Sequence, residues 1–129
     1  MSPDSFLAVR LRSFRHAFAG LAWLWRTQPN TRIHALATAA VGGLMLWLPL
    51  SRLEIALLLW VIAAVWSAEL LNTAIEALAD RISPDRHPLI KVAKDSAAAA
   101  VLVLAIAAVL IGLLILAPPL WHAITTRPQ

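Results

Sequence analysis

Residues 96–120 form an uninterrupted run without a single ionisable side chain. A helix needs about 20 apolar residues to cross about 30 Å of hydrocarbon, so this run alone is long enough to span a bilayer. A second run, 33–51, lies between Arg32 and Arg52 and holds no charge apart from a possible one on His34. A third, 55–68, is uncharged but shorter, and its helical pattern continues to Asp80. Composition agrees: 60% of the 129 residues are hydrophobic and 14% are charged, with a mean hydropathy of +0.76. Soluble domains carry about 25% charged residues, so the chain reads as a single all-α membrane domain.

Basic residues set the orientation. Arg10, Arg12, Arg15, Arg26 and Arg32 precede the first span, and Arg81, Arg86, Lys91 and Lys94 lie between the second and third. The other side holds Arg52 and Arg127. This bias places the N-terminus and the second loop in the cytoplasm. The net charge of +4 flanks apolar runs instead of forming one stripe, which argues against nucleic acid as a partner. With no cysteine, disulfide and thiolate chemistry are excluded.

The N-terminal stretch lacks the compact apolar core and small-residue cleavage site of a signal peptide. Leu7, Leu11, Phe14, Phe18, Leu21 and Trp25 recur at spacings of four and three, and Arg12, Arg15, His16 and Arg26 fall on another face. That pattern suits a helix lying on the cytoplasmic membrane surface, or one packed on a partner protein. The expected order is a surface helix at 5–28, spans at 32–50, 53–80 and 92–117, a cytoplasmic loop at 81–91, and an external tail at 118–129. Pro118 and Pro119 are expected to end the last span, and "LPLSR", 48–52, to form a tight outer turn. Alanines at 97–100 permit close helix approach.

The stretch "SAELLNTAIEALAD", 67–80, departs from this greasy background. At about 100° per residue, Glu69, Asn72, Thr73, Glu76 and Asp80 fall within roughly a third of the helix circumference. A charged group in hydrocarbon costs about 2.5–3.5 kcal/mol, so the stripe must face protein, metal or water. Simpler roles exist for some members. Asn72 could bridge helices, Thr73 could pack, and Asp80 could pair with Arg81 at the surface. Lys94 and Asp95 open the last span, where they could be an interfacial pair with the lysine reaching for water. Taken with the acidic stripe, they make another set of functions possible. Carboxylates collect Mg²⁺, and a lysine adds charge for phosphate, as phosphoryl transfer requires. No G-x-x-x-x-G-K-[ST], G-x-G-x-x-G or H-E-x-x-H occurs, so any nucleotide site must be built from helix side chains, and a zinc site is not expected.

"AELLNTAIEALAD" followed by "KVAKDSAAAAV" resembles the signature pair of the small bacterial membrane lipid kinases, the diacylglycerol kinase and undecaprenol kinase family. The likeness extends from about residue 14 to about residue 116. It implies a homotrimer in the bacterial inner membrane, with active sites shared between subunits. Such enzymes move the γ-phosphate of MgATP onto a lipid hydroxyl at the cytoplasmic interface. By motif match, Glu69 would be the general base and Asn72 would organise the stripe. Glu76 would hold Mg²⁺ on the ATP phosphates. Asp80, His87, Lys94 and Asp95 would line the nucleotide. The surface-helix contact falls on His16, where the family often has tyrosine. The family usually carries a glutamate that assists Glu76 with metal, where "RTQPNTRIH" puts Gln28. An amide brings no charge, so a weaker Mg²⁺ site is expected. "NTRIH" looks closer to the polyprenol branch than to the diacylglycerol branch, and the acceptor stays open between the two. Intramembrane carboxylates also mark ion pathways, which leaves a small transporter or proton-conducting subunit as the alternative. A catalytically weakened scaffold member is a further one.

Overall fold

The computed structural model describes residues 6–82 and 87–126, and within them every regular element is an α-helix. Arg86 and Arg127, both used in the charge count above, lie outside the described residues. Helix α1 spans Phe6–Thr27, α2 Asn30–Trp47, α3 Arg52–Ile82 and α4 Pro88–Thr125. At 1.5 Å per residue, α3 (31 residues) and α4 (38 residues) are about 46 Å and 57 Å long, so each overhangs a bilayer core of about 30 Å.

By length and composition, α3 and α4 qualify as membrane spans. Helix α2 does not meet the same measure. Its 18 residues begin with Asn30, Thr31 and Arg32 and include His34 and Thr38, which lower its hydropathy. The span expected at 32–50 therefore rests on a helix with a polar first turn.

Helices α3 and α4 make the main packed pair. Asp80 meets Lys94 at one end and Leu58 clusters with Leu116 at the other, so the two run antiparallel. Helix α2 also runs antiparallel to α3. Trp66 Nε1 donates to Thr38 Oγ1 at 3.0 Å between them, and Leu48 joins Leu58 and Leu116 in the apolar cluster at the far end. That end is sealed by aliphatic packing. The opposite end carries the polar groups.

The connections follow from local chemistry. Pro29 lacks an N–H and separates α1 from α2, while Thr31, almost wholly buried, donates through Oγ1 to the Leu24 carbonyl at 3.4 Å. Buried Leu24 pins the end of α1 there. The outward apolar face of α1, with Leu7, Leu11, Phe14, Phe18 and Trp25, stays exposed. At the outer turn Leu48 is extended (φ −89°, ψ 146°), as steric conflict with Pro49 favours. Ser51 N–H and Oγ donate to Glu54 Oε2 at 2.7 and 2.6 Å, and Glu54 N–H returns a bond to Ser51 Oγ at 3.3 Å. This reciprocal cap starts α3.

One boundary differs from expectation. Helix α4 continues through Pro118 and Pro119 to Thr125 instead of giving way to an external tail at 118. Proline removes the N–H that would bond four residues back, so the Leu114 and Ile115 carbonyls lose those donors. Long apolar helices tolerate this when packing resumes beyond the break. Here Leu120 and Ala123 return to the Leu48–Leu58–Leu116 cluster.

Candidate active site

The stripe predicted on α3 runs from buried to exposed: its first three members are buried, Glu76 is half-buried and Asp80 is exposed. Glu69 is 2% exposed, and Asn72 and Thr73 are buried with it. If Arg52 marks the outer edge of the hydrocarbon, helical rise puts Glu69 about 25 Å across and Glu76 about 36 Å across a core of about 30 Å. On that placement the first acid would fall just inside the hydrocarbon and the second just beyond it.

Glu76 is the meeting point of three segments. Gln28 Nε2, at the end of α1, donates to its Oε2 at 2.6 Å, and Asn72 Nδ2 donates to its Oε1 at 3.3 Å. Lys94 on α4 donates to Asp80 Oδ1 at 2.7 Å and lies near enough to Glu76 to feel its charge. Asp95 pairs instead with Lys91, one turn earlier on its own helix. His87 caps α4, its Nδ1 accepting the Leu89 N–H at 3.3 Å. His16 is exposed on α1. The fold therefore joins Gln28, Asn72 and Glu76 in one hydrogen-bonded group and brings Asp80 and Lys94 beside it. Asp95 and His87 lie on the same end of α4.

Glu69 stands apart from this group and has a neighbour that patterning did not single out. His34 Nε2, on α2, is 3.1 Å from Glu69 Oε1. The approach is close but is not a directed hydrogen bond, for Oε1 remains buried without one. Asn72 Oδ1 and Thr73 Oγ1 are likewise buried without partners. Three orphan polar atoms in one patch are costly unless a ligand or water completes them. The available signal for His34 was a histidine inside an otherwise uncharged run.

An apolar groove of about 490 Å³ runs between α2, α3 and α4. Val41, Leu58, Val65, Val109 and Leu116 are among its walls, and His34 stands on its lining. The Trp66 N–H, which could otherwise add polarity, is taken by Thr38. The groove thus offers hydrocarbon contact and little else, with Glu69 behind His34.

Among the described residues, no three of His, Cys, Asp and Glu gather into a metal cluster. The hydrogen-bonded group consists of the Glu76 carboxylate and the amides of Gln28 and Asn72, which turn their NH₂ ends toward it and leave Asn72 Oδ1 unpartnered. A carboxylate and amide carbonyl oxygens are ligand types that suit Mg²⁺, which often takes one or two carboxylates and fills its shell with phosphate and water.

A diacylglycerol kinase of Synechocystis sp. is 44% identical over 111 residues, covering 85% of this chain and 63% of that protein's length. An undecaprenol kinase of Bacillus subtilis is 44% identical over 109 residues, covering 84% of this chain and 89% of the relative. A diacylglycerol kinase of Pseudomonas aeruginosa is 37% identical over 105 residues, covering 78% and 85%. The relatives' names are those of lipid kinases, and the model of the prokaryotic diacylglycerol kinase family matches residues 15–116. The chain belongs to the prokaryotic diacylglycerol kinase family.

Proposed function

We propose that this chain is an ATP- and Mg²⁺-dependent lipid kinase that phosphorylates the hydroxyl of a membrane lipid alcohol, diacylglycerol or undecaprenol, at the cytoplasmic interface. The observation that carries the reading is the position of Glu69. It is buried beside His34, which lines the apolar groove, and lies less than one helical turn before Asn72 and two turns before Glu76. A lipid alcohol cannot leave the membrane and ATP cannot enter it, so the two must meet at such a boundary.

In this reading the groove holds the acceptor's hydrocarbon and Glu69 accepts the hydroxyl proton. As that O–H bond breaks, the alcohol oxygen forms a bond to the γ-phosphorus and the bridging P–O bond to ADP breaks. Glu76, held by the amides of Gln28 and Asn72, and Gln28 itself through its carbonyl are the residues that would hold Mg²⁺. The bound ion supplies neutralisation of phosphate charge. Lys94 contributes a fixed positive charge, and Asp80, Asp95, His87 and His16 border the nucleotide. The chain's own work is positioning and electrostatics, which is what phosphoryl transfer mostly demands.

The assembly belongs to the same proposal. Helix α2 serves as a third span beside α3 and α4, the N-terminus faces the cytoplasm of a bacterial cell, and three copies share active sites in the inner membrane. The extensive exposed apolar surface of α4, including Leu102, Ile106, Val109 and Leu113, supports burial against lipid or neighbouring copies.

The test is purified protein in detergent with Mg²⁺, labelled ATP and either diacylglycerol or undecaprenol. Label entering one lipid and not the other establishes both class and acceptor. No transfer, with proton flux in vesicles, would point to the transporter. Neither activity would point to the scaffold.

A further inference from the structure

We propose that His34 is a positioning residue of the active site, fixing the Glu69 carboxylate and closing the polar end of the acceptor groove. The inference rests on the kinase reading above and adds a residue to it. Three observations meet at this side chain. Its Nε2 is 3.1 Å from Glu69 Oε1. Its ring lines the groove between α2, α3 and α4. Its partner oxygen is buried without a directed donor, although the imidazole is close enough to provide one.

The neighbourhood explains why such a residue is needed. Asn72 gives Glu69 Oε1 no donor: its Nδ2 is turned to Glu76, and that oxygen is left unpartnered. Trp66, on the groove wall one turn before Glu69, has committed its N–H to Thr38. A neutral imidazole with its proton on Nε2 supplies a donor from the opposite helix. Holding one oxygen from α2 restricts rotation of the carboxylate and fixes which lone pairs face an incoming hydroxyl. A base oriented by a third group is the general arrangement of activated sites, and misplacement by about 1 Å can cost about a hundredfold in rate. The off-line geometry in the free protein is compatible with this, since catalytic hydrogen bonds often tighten only when the reactants bind.

The contacting atom dictates the test. Glutamine places its amide nitrogen near the position of histidine Nε2, asparagine near that of Nδ1, and leucine offers no donor. Transfer from MgATP to the lipid alcohol that the wild type accepts should fall at least tenfold in kcat for H34L and H34N. The KM for MgATP should stay within twofold, and H34Q should recover at least a third of wild-type kcat. Wild-type kcat in H34L, equal loss in H34Q and H34L, or a loss carried by the KM for MgATP would each overturn the proposal. A readout without turnover accompanies it: the ¹³Cδ resonance of labelled Glu69 in micelles should move in H34L and stay near its wild-type position in H34Q. An unmoved resonance in H34L would show that the contact does not exist. Failure of the kinase reading has another signature, a wild-type protein that phosphorylates no lipid alcohol. Failure of this inference alone leaves the wild type active and H34L equally so.

Discussion

Gln28 Nε2 and Glu76 Oε2 are joined by a 2.6 Å hydrogen bond that ties the end of α1 to the C-terminal half of α3. The amide supplies a donor where a second carboxylate would supply charge. Glu76 is therefore held in place without a second negative charge beside it to attract a cation. Its companion Asn72 acts in the same sense from one turn away.

Replacing Gln28 with glutamate should lower the Mg²⁺ concentration for half-maximal transfer by at least threefold. Two carboxylates about 4 Å apart repel by about 1 kcal/mol even in water, so the variant should also melt earlier in chelator and recover when Mg²⁺ is added. Titrating activity and melting temperature against Mg²⁺ checks both. An unchanged or raised requirement would remove Gln28 from the metal site.

Glu69→Gln keeps the size of the side chain and removes its ability to take a proton. General-base catalysis contributes typically 10²–10⁴-fold, so kcat should fall by at least about a hundredfold. Circular dichroism and melting temperature should remain close to wild type. Intact turnover in this variant would end the proposed chemistry.

Lys94 and Asp80 form an ion pair whose aspartate side chain is largely exposed. Exposed pairs contribute little to stability, so Asp80→Asn should leave the melting temperature almost unchanged. Lys94→Ala should instead raise the KM for MgATP or lower kcat by at least tenfold, because the lysine's task is phosphate charge. Steady-state kinetics alongside thermal unfolding separates the two. Equal, small effects on transfer would make the pair merely structural.

Pro118 and Pro119 sit inside α4 without backbone donors. Proline costs about 3 kcal/mol relative to alanine in an ordinary helix interior, and less where packing resumes beyond it. Alanine at both positions should raise the melting temperature by a few degrees and leave lipid phosphorylation unchanged. A lower melting temperature would mean that the prolines are needed for packing of Leu120 and Ala123.

Much of this architecture is legible from periodicity. The 3.6-residue pattern locates α1, and the shared face of Glu69, Asn72, Thr73 and Glu76 follows from spacing alone because a single helix carries it. The reciprocal Ser51–Glu54 cap accounts for the tight outer turn. Contacts between helices are the part that spacing cannot supply. His34 lies 35 positions before Glu69, and its approach depends on how α2 is rotated against α3. The Thr38–Trp66 bond has the same origin. At Pro118, a local rule about backbone donors was overruled by packing that resumes one turn later.

The groove between α2, α3 and α4 has a kinetic consequence. A site reached through hydrocarbon receives its acceptor by lateral diffusion within a sheet, and the phosphorylated product must depart the same way. Saturation then follows the acceptor's mole fraction in the bilayer, so diluting the membrane with inert lipid should slow turnover even when the total amount of acceptor per millilitre is held constant.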